Sequence, residues 1–512
     1  MLSLVPSVLK FTKTSPDVGQ ELLVAASRAG CLPVMRSLIA AGVVPDGHPT
    51  DPPIRMAVMG CKPEAIKLLL EAGVSANRTM LHDPPILLAS QFGNVKVMKT
   101  LLDAGAEWAF EAKCDTPFLR LARLGKTDAL QLLLDLGANP NEKPEGALYS
   151  SLEAAARGNH ARVAKCLLKA GAVVTADIVS AAIVAPTPDL LKVLLSRGYY
   201  NALEDADIRV APLARAAVAS RTASVRLLIK YNADVNRNDD IGCSPLWLAA
   251  DGGHADIVQA LLKAGAKRVE PIDPELLAAC KDGQTELMVA CRRGHYAAAL
   301  VLIEDGANIH QEGFRGMTCL LHAAYGASSK LVKALLERGA KLDHVDSRKR
   351  SALAWAAVKG NVPVIDVLVN AGADPELGDI LDRTSLMLAI VEGNFKAVKA
   401  LIRKGAKVNR VDATGHSELI LAIEHRGPEI LRILIAAGAN VDLHVVDGRT
   451  AITFAVNEKP FPMIKILLNA GCDVNIRDDA GKNATDWMPD NIDPSVPPMI
   501  AAAAARSSSQ GP

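Results

Sequence analysis

Gly253-His254-Ala255-Asp256-Ile257-Val258-Gln259-Ala260-Leu261-Leu262-Lys263-Ala264-Gly265-Ala266 is the stretch that decides the fold. Its apolar residues recur at helical spacing on one face, and the glycine after the aliphatic pair is the residue that most cheaply closes a helix in the left-handed conformation. The same ending returns along the chain, from Leu38-Ile39 to Leu467-Leu468, in fourteen copies. From Leu302 onward each pair follows the last by 33 residues, a fixed period that marks stacked repeats and not a set of separate globular cores. The closing glycine is replaced once, by Asn232, and Asn is the other residue that tolerates positive φ.

A second anchor precedes each closing residue by nineteen positions, running from Leu23 through Leu246, Leu320 and Leu353 to Ile452, and it is apolar in every copy. Small residues follow it, as in Leu353-Ala354-Trp355-Ala356-Ala357, which predicts a short inner helix that lets its neighbours approach closely. Thr116-Pro117 and Ser244-Pro245 place an N-cap residue before a proline at the first helical position. Between repeats lie polar turn-forming stretches such as Ala233-Asp234-Val235-Asn236-Arg237-Asn238, expected to project as hairpin-like fingers. The predicted unit is helix, turn, helix, finger.

Composition narrows the function. A net charge of +1 argues against a dominant attraction to nucleic acid or to an acidic membrane surface. Nine cysteines without metal-type spacing, among them Cys166, Cys280 and Cys291 at helical positions, read as reduced core thiols. No apolar run is long enough to span a bilayer, and Met1-Leu2-Ser3-Leu4-Val5-Pro6 lacks the pattern of a secretory signal. The expected compartment is the cytoplasm, with the nucleus as an additional one. No phosphate-binding glycine loop, zinc-type His/Cys set, nucleophile elbow or kinase signature is present, so no catalytic residue, no metal ligand and no cofactor is assigned.

With these residues laid out, the chain resembles the ankyrin-repeat family over roughly residues 18 to 490. Gly242-Cys243-Ser244-Pro245-Leu246-Trp247-Leu248-Ala249-Ala250 carries the resemblance well. The family's Thr-Pro-Leu-His signature is never complete, its His position holding Trp247, Leu321 or Ala354, which implies lost local hydrogen bonds. The resemblance implies an all-α repeat solenoid of about fourteen helix-turn-helix repeats whose groove and fingers bind a partner protein. Groove positions ending the inner helices are Phe92, Arg123, Arg157, Arg292 with Arg293, Tyr325 and Lys359; the C-terminal end of the row is acidic, with Glu392, Glu424 and Glu458. Finger aromatics Trp108, Phe110 and Phe314 are a second cue, since only 4% of residues are aromatic. The competing reading leaves the arginines as solvated charges and packs the aromatics on neighbouring fingers.

The function so implied is a non-catalytic scaffold or adaptor for one or more proteins, monomeric, without nucleic-acid binding or membrane insertion. The alternative is a regulatory or substrate-recruiting subunit of an enzyme complex such as a ubiquitin ligase or phosphatase. Asn236 and Asn475 each end an Asp-Val-Asn that is similar to sites of asparaginyl hydroxylation in some ankyrin proteins, although Asn also suits a turn there. Expected boundaries are an N-terminal capping segment 1–17, repeats 1–8 over 18–269, repeats 9–14 over 270–490 and a disordered tail 491–512. The second block opens with an inserted short helix near Asp273-Pro274 and closes with a half-repeat cap. One continuous stack, with the insertion as a loop elaboration, is the rival organisation.

Overall fold

The computed structural model of the chain describes residues 16–48, 51–77, 83–109, 115–199, 211–268, 284–425, 427–458 and 461–508. These belong to two compact units, Met1–Ala233 and Asp234–Pro512. Among the described residues both are helical, with one isolated bridge, Val411 to Ser417, in place of any strand. The first unit holds repeats 1 to 7, from Pro16–Ala29 with Leu32–Ala40 to Pro212–Val218 with Thr222–Lys230. The second holds repeats 8 to 14, from Pro245–Asp251 with Ala255–Lys263 to Ala451–Glu458 with Phe461–Asn469. Within each unit inner helices pack on inner helices and outer on outer.

The periodic anchors explain this packing. Leu246, Leu320, Leu353 and Leu386 on the inner helices and Leu261, Leu335, Leu368 and Leu401 on the outer ones are all at most 2% exposed. Each such leucine stabilises the stack by roughly 1.5–3 kcal/mol, and no repeat could bury its share alone. The closing glycines hold positive φ, and Asn232 takes the same conformation at φ 60. Thr116 and Ser244 cap their helices as expected, accepting from the N–H of Leu119 at 3.2 Å and of Trp247 at 3.1 Å.

Polar stitches join one repeat to the next. His160 Nε2 lies 3.0 Å from the Arg123 carbonyl and His295 Nε2 3.0 Å from that of Asp251, so these two histidines each tie a repeat to the one before it. Finger asparagines act likewise: Asn141 donates to the Gly171 carbonyl at 3.0 Å and accepts from Val173 N–H at 2.8 Å. Asn236 accepts from Lys267 N–H at 2.7 Å, a bond from one finger to the next. Trp247, standing where the family has His, is 4% exposed and donates its indole N–H to the Gln284 carbonyl at 3.1 Å. A lost hydrogen bond is thereby replaced by a different one.

Residues 1–15, with most of the expected N-terminal cap, and 269–283, with the expected inserted helix and Cys280, lie outside the described residues. On either side of 269–283, Pro245–Asp251 packs on Glu286–Arg293 and Ala255–Lys263 on Tyr296–Glu304. Two expectations are corrected. The tail is not disordered over 496–508: Val496–Ser508 is a helix, with Val496 at 0% and Ile500 at 1% exposure, packed on Phe461–Asn469. Low complexity misleads there because the repeated residue is Ala, the best helix former, and prolines sit in the first turn. Cys166 is half-buried, not a core thiol, because it falls off the apolar face of its outer helix, whereas Cys291 is buried.

Candidate functional site

The fingers and inner helices of repeats 9 to 11 enclose a cleft of about 360 Å³. Three residues singled out in the sequence meet there: Arg292 at the end of Glu286–Arg293, Tyr325 at the end of Cys319–Tyr325, and Phe314 on the finger between them. The remaining wall is Gln284, Arg315, Met317, His322, Asp346, Arg350 and Trp355.

Local chemistry sets each wall. In the finger of repeat 11, Asp346 Oδ1 accepts from the N–H groups of Arg348 at 2.8 Å and Arg350 at 2.9 Å. Its Oδ2 accepts from Arg350 Nε at 3.1 Å and from the Trp355 indole at 3.2 Å. A carboxylate only 5% exposed thus has its lone pairs occupied and fixes both an arginine and a tryptophan. The Arg350 guanidinium lies 3.7 Å over the Trp355 ring, Tyr325 meets Trp355 edge-on at 5.3 Å, and Lys359 Nζ sits 4.1 Å from the Tyr325 ring. Phe314 is 62% exposed at the tip of its finger, with the Arg315 guanidinium 5.0 Å from its ring. The two fingers are tied together by Ser347 N–H donating to the Arg315 carbonyl at 2.8 Å.

His322 forms the floor. It is 5% exposed, and burial, helped by the positive charge of Arg292, lowers its pKa to about 4, so the imidazole is neutral at pH 7. Behind it the backbones meet closely: a Cβ on Gly326 would lie 2.3 Å from the Arg292 carbonyl oxygen and 2.6 Å from that of Cys291. Gly326→Ala is therefore expected to force two inner-helix ends apart at about 1–3 kcal/mol. A urea midpoint matching wild type would show that these backbones can separate freely.

The other sequence-predicted residues lie elsewhere. Arg293 does not line the cleft; it forms a two-pronged pair with Asp251, at 2.8 and 3.3 Å, because the two arginines leave the helix in different directions. Phe92 (38% exposed), half-buried Trp108, Arg123 and Arg157 belong to the first unit. There Arg123 pairs with Asp115 and Arg157 with Glu153, each at 3.0 Å, and Arg157 also lies 4.3 Å over Tyr149. Phe110 lies outside the described residues. Lys359 is exposed at the edge of the cleft, held by Tyr325.

Sequence reasoning missed His322 and Trp355. Their signal was one of register: His322 and Trp355 are one 33-residue period apart, two residues after the buried anchors Leu320 and Leu353.

A family profile described as "Ankyrin repeats (3 copies)" matches residues 178–271, 213–313, 287–379, 320–412 and 386–478, together more than half of the chain. The chain belongs to the ankyrin-repeat family. The cleft is thus built from three consecutive ankyrin repeats, all within the matched span. Among relatives of the ankyrin segment is the rice "Probable E3 ubiquitin-protein ligase XBOS32", 35% identical over 101 residues, 19% of this chain and 19% of that protein. Another is the human "Protein phosphatase 1 regulatory subunit 27", 37% identical over 59 residues, 12% of this chain and 38% of that protein. The match thus spans well under half the length of either relative. The solved ankyrin repeat domain of Bcl-3 aligns with a TM-score of 0.40 at 22% identity, covering 43% of this chain and 100% of that one.

Proposed function

We propose that the protein is a non-catalytic cytoplasmic scaffold that holds a segment of a partner protein in the cleft of repeats 9 to 11. The observation that carries this is the convergence of Arg292, Arg350, Phe314, Tyr325 and Trp355, from separate helices and fingers, on one concavity. Arginine and aromatic side chains dominate binding hot spots because each brings large contact area with directed polar groups. Ankyrin repeats are protein-interaction modules, and rigid repeats hold such a constellation without reorganisation on binding.

The test is affinity capture from native extract with wild type beside an Arg292→Glu, Tyr325→Ala variant. Partners held by the cleft are expected to fall about tenfold or more, as when central anchors are lost from an interface. Capture equal to wild type for every partner would sink the reading. Arg293→Glu serves as control: its pair with Asp251 is partly exposed and is worth at most about 1 kcal/mol, so it should leave capture unchanged.

A second reading, a regulatory or substrate-recruiting subunit of an enzyme complex, is favoured by the names of the rice and human relatives. It uses the same cleft, and it predicts that the lost proteins include a ligase or phosphatase subunit.

A further inference from the structure

Among the described residues, three guanidinium groups, those of Arg292, Arg315 and Arg350, and one carboxylate, that of Asp346, line the cleft. Both oxygens of that carboxylate are engaged within its own finger and by Trp355. Beneath them His322, 5% exposed, has no hydrogen-bond partner at either ring nitrogen among the described residues. Gln284, 7% exposed, has none at Oε1. Buried polar atoms are rarely left so, and each exception calls for an explanation. A neutral imidazole supplies one N–H donor and one acceptor nitrogen, and the amide oxygen supplies another acceptor. The complement is a ligand that is anionic and carries N–H donors as well. An extended peptide with an acidic side chain meets all three demands, its carboxylate accepting and its main-chain amides donating.

We propose that the cleft of repeats 9 to 11 takes an acidic segment of the partner protein, with one Asp or Glu carboxylate seated among Arg292, Arg315 and Arg350. This rests on the scaffold reading above. The carboxylate accepts from the guanidinium groups and from the His322 N–H, while main-chain amides of the segment donate to Gln284 Oε1 and to the other His322 nitrogen. Tyr325 and Trp355 pack the apolar stems beside the carboxylate, and exposed Phe314 closes over them. Charge supplies selectivity for acidic over neutral sequences, and the buried polar pair supplies register.

Fluorescence anisotropy of the full chain with fluorescein-labelled deca-glutamate tests this, with deca-glutamine and an oligothymidylate as comparison probes. Saturable deca-glutamate binding is expected at low ionic strength, weakening as salt is added. Arg292→Gln with Arg315→Gln should weaken it about tenfold or more, because charge-assisted hydrogen bonds are lost. His322→Leu should weaken it by a smaller factor, and Arg432→Gln, outside the cleft, should leave it unchanged. Thermal melts of each variant separate a binding loss from a folding loss. The proposal is overturned by absence of saturable binding, by equal binding of wild type and the double variant, by deca-glutamine binding as tightly, or by tighter oligothymidylate binding with the same residue dependence. Failure of the two readings is distinguishable: a captured partner lost with Arg292→Glu, Tyr325→Ala but not displaced by deca-glutamate keeps the scaffold and removes the acidic segment.

Discussion

Leu335→Ala is expected to lower the stability of the second unit by about 2–5 kcal/mol, the range for emptying a fully buried leucine site. Leu335 is 0% exposed on the outer helix Ser329–Glu337, where it faces the interior of repeat 10. The cost should be at the upper end if neighbours cannot relax into the cavity, and inner helices already in backbone contact at Gly326 have little room to do so. Leu336, next in sequence and only half-buried, provides the control, since truncating it removes less buried surface and leaves no closed cavity. Urea melts of the two variants beside wild type decide the matter. Equal, small losses would mean that the helix is rotated from the register described. Because each repeat is stabilised chiefly by its neighbours, the loss should appear as a lower midpoint and as a less cooperative transition.

The second large effect concerns pH. Glu418 opens the inner helix of repeat 13 and is 1% exposed, with its carboxyl accepting from the N–H groups of Asn409 at 3.1 Å and Arg410 at 3.2 Å. Burial raises its pKa to about 7; backbone hydrogen bonds offset part of that rise, and nearby Glu376 adds to it. Between its ordinary value of 4.5 and about 7, the folded chain therefore holds a proton that the unfolded chain has released. Stability from this group falls as pH rises through that window, and it is flat on either side. A shift of this size corresponds to roughly 3 kcal/mol in total. His322 works in the opposite sense: its lowered pKa makes stability rise with pH from about 4 to 6.5. The difference between wild type and Glu418→Gln isolates the carboxyl. The variant is expected to be more stable than wild type above about pH 7 and to lose the falling limb, as measured by urea midpoints across the window. Identical pH slopes in both proteins would show that Glu418 is ionised in the fold.

The two variants probe different levels of organisation. Leu335 belongs to the repeated apolar lattice, and its importance follows from position in the period alone. Glu418 occupies a position that holds Ala352 and Ser385 in the two preceding repeats, and nothing in a one-letter comparison says that its carboxyl turns back to cap a finger.

The sequence by itself determined the repeat, its helix–turn–helix register, the left-handed closing residue including Asn232, and the burial of every anchor. These follow from local chemistry and from a period repeated many times, so each copy corroborates the others. It also pointed to Arg292, Phe314 and Tyr325. Only the tertiary structure decided which predicted residues act together. Arg292 and Arg293 are adjacent in the chain, yet one lines the cleft and the other is held by Asp251 of the preceding repeat. Arg350, Trp355 and Asp346 form one unit because a finger folds back over its own inner helix, and His322 joins them in the wall of one cleft because its inner helix lies in the adjoining repeat. Ion pairs and stacked rings depend on distances between side chains from successive repeats, and a 33-residue period specifies that those repeats adjoin without specifying where each side chain points.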